Sequence, residues 1–311
     1  MDRTVTGKES AMCDINTFSS SAKQRAPRAA ACTMIFFLTA IVSSIAVTTV
    51  PASAQPLKQW KCTGKPDFSP EEQISGCSSA IKSGKLAGKD LALAFTIRGS
   101  AYRVRGGLWS ALGDYNQAAK LDPHSADIFF RRGIVLGMLG EADRAIADFD
   151  QAIKLEPDHA GALYSRGLTY SNTGRWERAI EDYDQAIKLS PDNVMAISNR
   201  GNAYLALKQY DRAIADYDRT IALEPDEAIP HNNRGSAYYQ IGQVDRAMDD
   251  FDAAIKLDPD YIDALNNRGL AYVGRGAYDR AIEDFERVLK LHPNNLDALR
   301  NRADALARKG K

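Results

Sequence analysis

Residues 194–227 read VMAISNRGNAYLALKQYDRAIADYDRTIALEPDE. Small and apolar residues fall at helical spacing at Ile197, Gly201 and Tyr204, then again after a break at Ala213, Tyr217, Ile221 and Leu223. Pro225 stops the second segment. The stretch therefore predicts two antiparallel helices joined by a tight turn. Nearly the same sentence recurs 34 residues away in both directions: Pro123, Pro157, Pro191, Pro225, Pro259 and Pro293 are evenly spaced. An internal period of that length decides the architecture.

Six complete units follow from it, 92–125, 126–159, 160–193, 194–227, 228–261 and 262–295. Numbered within a unit, position 8 is always Gly (Gly99 to Gly269) and position 20 always Ala (Ala111 to Ala281). Small residues at facing positions let two helices approach closely. Position 11 is Tyr or Leu and position 24 Phe or Tyr, large groups that fill the space between pairs. Position 15 is Gly in five units, which suits a left-handed turn residue, and position 32 is Pro. Thr220 and Val288 replace Ala at position 27, and His231 stands at position 4.

This pattern resembles the tetratricopeptide repeat (TPR) family over residues 92–295, with fragments on both sides. The resemblance implies an all-α TPR solenoid, a right-handed superhelix of antiparallel helix pairs whose first helices line a concave groove. Such a chain grows by adding repeats, so its 311 residues need not divide into ordinary domains.

Outside the repeats, residues 1–54 have a different character. Lys23, Arg25 and Arg28 precede an apolar run from Met34 to Val50, followed by Pro51-Ala52-Ser53-Ala54. Positive flank, short apolar core and small-residue exit predict a signal peptide with a long leader, and hence an exported, periplasmic or secreted protein. The rival reading is an anchor left uncleaved, although the apolar run is at the short end for spanning. Cys13 and Cys32 fall in that leader; Cys62 and Cys77 remain, and in an exported chain they are expected to form one disulfide.

Residues 55–91 are expected to cap the solenoid. Residues 55–67 look irregular, and Ser69-Pro70-Glu71-Glu72 then starts a helix with a hydroxyl N-cap, Pro at the first position and acids at the positive dipole end. Residues 296–311 read as a lone first helix and a second cap, with Leu299, Ala303 and Leu306 as its inner stripe and Arg300, Asp304 and Arg308 outside.

The most regular polar feature is an Arg at position 7 of every first helix (Arg98, Arg132, Arg166, Arg200, Arg234, Arg268, Arg302). It is matched by Asp at position 23 of every second helix (Asp114, Asp148, Asp182, Asp216, Asp250, Asp284). Opposite charges repeated in register predict a structural ion ladder, formed within each repeat, rather than a row of phosphate-binding arginines.

No catalytic constellation is present. His124, His159, His231 and His292 have no partner at metal-ligand spacing, and neither G-x-S-x-G nor G-x-G-x-x-G occurs. Residues 84–89 (GKLAGK) are one residue short of a phosphate loop and are followed by Asp90. With Lys plus Arg and Asp plus Glu both at 40, no net field gathers nucleic acid. No enzyme activity and no cofactor or metal are expected.

Variation is instead concentrated on the predicted groove. The early units offer Phe130, Ile134, Met138, Tyr164 and Leu168; the later ones offer Asn199, Asn202, Asn232, Asn233, Asn266, Asn267 and Asn301, with Tyr239 among them. Asn occupies position 6 in four consecutive units (Asn199, Asn233, Asn267, Asn301). A carboxamide both donates and accepts, so such a row could hold a peptide backbone of any sequence, and it resembles the asparagine ladder of some TPR proteins. The other reading is that Asn is simply common at these positions. The family's clamp for acidic chaperone tails is not matched: Ser198, Asn202, Asn233, Asp263 and Asn267 keep its amides and lack its cations. The expected function is a non-enzymatic protein-interaction scaffold with a protein or extended peptide as partner; the alternatives are a regulatory arm of an enzyme complex and a self-assembling oligomer.

Overall fold

The computed structural model describes residues 55–58, 60–64 and 68–310. The leader, its apolar run and the cleavage motif lie outside the described residues. Two helices open the fold, α1 (Gln55–Lys58) and α2 (Pro70–Lys82). Six pairs follow: α3 (Gly88–Val104) with α4 (Leu108–Leu121), α5 (Ala126–Met138) with α6 (Ala142–Leu155), and α7 (Ala160–Asn172) with α8 (Trp176–Leu189). The series continues with α9 (Val194–Ala206) and α10 (Tyr210–Leu223), α11 (Ala228–Gln240) and α12 (Val244–Leu257), and α13 (Ile262–Gly274) and α14 (Tyr278–Leu291). The last helix is α15 (Leu296–Lys309). The described residues contain no strand. Each helix of the repeats packs on its sequence neighbours, and the pairs stack as an all-α, right-handed TPR solenoid.

The repeat chemistry explains the pairs. Ala111, Ala145, Ala179, Ala213, Ala247 and Ala281 are fully buried, and the rings at position 24 are at most 2% exposed. Gly at position 8 makes room for that ring: a Cβ on Gly201 would lie 2.9 Å from Tyr217, and one on Gly269 only 2.5 Å from Phe285. The turn needs a left-handed residue at position 15, and Gly106, Gly140, Gly174, Gly242 and Gly276 supply it at φ of 74–80°. Lys208 holds the same conformation at φ 59°. The backbone N–H of Gln209 then returns to the Tyr204 carbonyl at 2.8 Å, closing the first helix. At the start of the same unit, Asn193 Oδ1 accepts from the Ala196 N–H at 3.1 Å.

The N-terminal segment differs from expectation in two respects. Residues 55–58 form a helical turn rather than irregular chain, because Leu57 is 1% exposed in a cluster with Cys62, Cys77, Ala80, Leu86, Ala94 and Ile97. The structure joins Cys62 to Cys77 and lays the arm so close to α2 that a Cβ on Gly76 would meet the Trp60 carbonyl oxygen at 1.9 Å. Ser69 and Glu72 exchange hydrogen bonds as a capping box. The first helix of unit 92–125 also starts earlier than expected, at Gly88.

The last helix overturns one expectation outright. Its inner stripe is Ala298 and Ala305, both fully buried, not Leu299, Ala303 and Leu306. Leu299 and Leu306 are 38% and 50% exposed, and Ala303 is exposed. The reason is positional. Leu299, Ala303 and Leu306 stand at positions 4, 8 and 11, and in a complete unit positions 8 and 11 pack on that unit's own second helix. Among the described residues, no second helix follows α15 to pair with it; its contacts are to α14, the second helix of the preceding repeat, and, more lightly, to α13.

Candidate peptide-binding groove

First helices of successive repeats touch one another along the solenoid, while second helices stay further apart. The first helices therefore form the inner, more tightly curved wall. Their exposed positions are the candidate groove.

The structure arranges the late-unit amides as a directed chain. Asn233 Nδ2 donates to Asn202 Oδ1 at 3.0 Å, Asn232 Nδ2 to Asn233 Oδ1 at 3.1 Å, and Asn267 Nδ2 to Asn232 Oδ1 at 2.9 Å. Tyr217 Oη also donates to Asn202 Oδ1, at 2.7 Å, and Asn267 Nδ2 reaches Ser236 Oγ at 3.3 Å. Asn232 is only 1% exposed and acts as the buried keystone, with Tyr261 Oη 3.5 Å from its Nδ2. An amide has two N–H groups and two carbonyl lone pairs. The chain's own bonds use Asn202 Oδ1 and Asn267 Nδ2 and leave the Nδ2 of Asn202 and the Oδ1 of Asn267 outside them.

Asn199 stands apart from this chain, donating to Tyr164 Oη at 2.9 Å. Burial pushes the Tyr164 hydroxyl up to about 12, so it stays protonated at any physiological pH. Among the described residues, Asn266 Oδ1 is buried without a hydrogen-bond partner, and Asn301 is half-buried on α15.

The early-unit anchors are less available than their sequence implies. Phe130 tilts against His159 with ring centroids 4.6 Å apart and against Phe149 at 6.3 Å, and with Ile134 it packs onto the cluster holding Tyr115 and Val135. Tyr164 is buried against Tyr183, and Leu168 packs on the same cluster. Met138 is half-buried; Tyr239 is half-buried with its hydroxyl against Gly274. Phe130, Ile134, Tyr164 and Leu168 thus spend much of their apolar surface on packing between helices.

The charged positions meet repeat after repeat. Nε and Nη2 of Arg98, Arg132, Arg166, Arg200, Arg234 and Arg268 donate to the two carboxylate oxygens of Asp114, Asp148, Asp182, Asp216, Asp250 and Asp284 at 2.6–2.9 Å. These carboxylates are 2–6% exposed. The hydrogen bond to its own Asp, ahead of burial, dominates at Arg166, Arg200, Arg234 and Arg268 and holds each guanidinium above its ordinary pKa.

The third guanidinium arm forms a link that sequence reasoning missed. Nη1 of Arg166, Arg200, Arg234 and Arg268 reaches Asp150, Asp184, Asp218 and Asp252 in the preceding repeat at 2.6 Å, and Arg132 reaches Asn116 at 3.1 Å. The ladder thus crosses every boundary between these repeats. The signal was present: position 25 is Asn or an acid in every unit. A second missed feature is the hydroxyl at position 24. Tyr115, Tyr183 and Tyr217 reach through to Ser100, Ser171 and Asn202 on the inner wall.

Tetratricopeptide repeat profiles match residues 135–194, 182–215, 201–266 and 262–295, which together span more than half of the sequence. The chain belongs to the tetratricopeptide repeat family. Solved structures agree in fold. A TPR protein from Parabacteroides merdae superposes with a TM-score of 0.58 at 21% identity, covering 82% of this chain and 99% of that one. YrrB, a TPR protein described as having an unusual peptide-binding site, gives 0.52 at 22% identity, covering 61% and 97%. MamA gives 0.50 at 28% identity, covering 53% and 90%. No curated protein matches the sequence. TPR solenoids of this kind are protein-interaction scaffolds in general. Among the described residues, no cluster of His, Cys, Asp or Glu is placed to hold a metal ion, and no helix is long and apolar enough to cross a membrane.

Proposed function

We propose that this TPR protein is a non-enzymatic scaffold that holds an extended segment of a partner protein along the wall formed by α9, α11 and α13. The observation that carries the reading is the directed amide chain from Asn202 to Asn267. It leaves a side-chain N–H donor at one end and a carbonyl acceptor at the other, the two groups a peptide backbone pairs with irrespective of its side chains. The early repeats support the reading more weakly, because Phe130, Tyr164 and Leu168 are partly engaged between helices. They would contribute edges rather than open pockets.

The test is a peptide-array screen of unfolded segments, with hits titrated calorimetrically against wild type, Asn202→Ala and Asn267→Ala. Each substitution should weaken the same peptides by about five- to tenfold, one hydrogen bond each, and leave the helical circular-dichroism signal unchanged. Unaltered affinities in both variants would mean that these amides do not hold the peptide. We further propose that the protein works in the cell envelope, on the strength of the basic and apolar leader ending at Ala54 and of the joined Cys62 and Cys77. N-terminal sequencing of the protein from fractionated cells decides this: a mature chain beginning near Gln55 is expected, and a cytoplasmic chain retaining the leader refutes it.

A further inference from the structure

The outer face of α15 has the chemistry of an interface whose second half is not among the described residues. In all six complete repeats the position-7 Arg pairs with the second helix of the same repeat, the position-8 Gly abuts its ring, and the position-11 side chain packs with its position-20 Ala. On α15 the equivalent residues are Arg302, Ala303 and Leu306, with Leu299 at position 4. Leu299 and Leu306 stand 38% and 50% exposed, with Leu296 beside them at 74%.

Arg302 supplies the independent sign of what this face would accept. Six equivalent arginines donate Nε to the position-23 Asp of their own second helix at 2.7–2.9 Å. In Arg302 the Nε is buried and has no hydrogen-bond partner among the described residues. Its Nη1 still points back along the ladder, 3.9 Å from Glu286 at position 25 of the preceding repeat. The Nε that meets the second-helix carboxylate in every complete repeat thus has no carboxylate on α15. A buried donor without an acceptor costs free energy that an incoming carboxylate removes.

Position 8 narrows the partner further. Every complete repeat has Gly there, and a Cβ would lie 2.5–3.1 Å from the aromatic ring at position 24. At α15 the residue is Ala303, so a ring in the same place would collide with its methyl group. The second helices of the six repeats carry Phe or Tyr at that position and are already packed, which disfavours a second copy as the occupant.

We propose that the outer face of α15 docks an amphipathic helix of another protein. That helix carries a small residue, then Asp three positions later, then an aliphatic residue in place of the aromatic ring. Leu299 and Leu306 bury its apolar stripe, Arg302 pairs with its Asp, and Ala303 selects the aliphatic side chain over the ring. The site is separate from the groove, and its test does not use groove residues.

The probe is a helix-stabilised peptide of residues 276–292 of this chain, in two forms, unchanged and Phe285→Leu. Each is titrated against the full chain by fluorescence anisotropy. The Phe285→Leu form should bind about tenfold tighter than the unchanged peptide, and the Ala303→Gly protein should reverse that order. Arg302→Gln in the protein, or Asp284→Asn in the Phe285→Leu peptide, should each lose about tenfold or more, and the two losses should not add. The proposal is overturned if neither peptide binds saturably or if the order survives Ala303→Gly. Loss of affinity in only one of the two charge variants also overturns it. So does light scattering that shows a dimer abolished by Leu306→Glu, because the face would then belong to a second copy.

Discussion

Asp216→Ala tests whether the ion ladder holds the solenoid together. Asp216 is 5% exposed and accepts both Nε and Nη2 of Arg200 at 2.8 and 2.6 Å. Removing it strands a guanidinium whose side chain is 19% exposed, leaving only the half-exposed Asp184 across the repeat boundary. Breaking a buried pair from one side costs about 3–5 kcal/mol, and the retained Asp184 contact places this case near the lower end, about 3 kcal/mol. With a urea m-value of roughly 2–3 kcal/mol/M, the denaturation midpoint should fall by about 1–1.5 M. The double variant Arg200→Met/Asp216→Leu is the control. Well-packed apolar replacements of a buried pair are commonly neutral or better, so it should recover most of the loss. The measurement is urea unfolding followed by circular dichroism on wild type, both single variants and the double. A loss below about 1 kcal/mol for Asp216→Ala, or a double variant as unstable as the single, refutes the reasoning. A reduced m-value in any variant would mean that the array has split into independently melting parts, which long solenoids permit.

Three further outcomes follow from the same geometry. Gly-to-Ala at position 8 should destabilise by about 1–3 kcal/mol through overpacking against the ring, with Gly269→Ala worse than Gly99→Ala because the new Cβ meets its ring at 2.5 rather than 3.1 Å; thermal melts give the ranking, and equal costs would show that the rings shift freely. Lys208→Gly should stabilise by about 0.5–1 kcal/mol, since a left-handed lysine at φ 59° costs more than the extra chain entropy of glycine; an unchanged or lower midpoint counts against it. Cys77→Ser should loosen the N-terminal cap by about 3 kcal/mol, the scale for a loop of 15 residues. Limited proteolysis should then cut first within residues 55–68 while the repeats stay intact, and simultaneous loss of the repeats would show that the cap is not a separate unit.

The architecture was legible because every determinant of a repeat is local. Gly201, Tyr204, Ala213, Tyr217 and Pro225 act within one unit of 34 residues, and repetition six times makes the period unmistakable. The pairing of Arg200 with Asp216 was legible for the same reason. Both belong to one unit, and opposite charges that recur together in every unit are placed to neutralise each other. The candidate site was legible only as a set of positions. That Asn233 and Asn267 lie on one wall follows from the repeat, but the direction of the amide chain and the burial of Asn232 do not.

Sequence by itself therefore determined the helix pairs, the turns and the intra-repeat ion pairs, because helical periodicity and turn stereochemistry are set by near neighbours; the superhelix came from the resemblance to the TPR family. Only the tertiary structure decided which groups remain unspent. A guanidinium has three arms and an amide four bonding positions, and their allocation depends on how far one helix stands from the helix of the next repeat. So Arg200 turned out to bridge two repeats through Asp184, while Phe130 and Tyr164 packed against rings of their own repeats. Leu299 and Leu306, apolar residues read as an inner stripe, came to face outward because no helix among the described residues covers their side of α15. Periodicity places a residue on a face; what lies opposite that face is a property of the assembled solenoid.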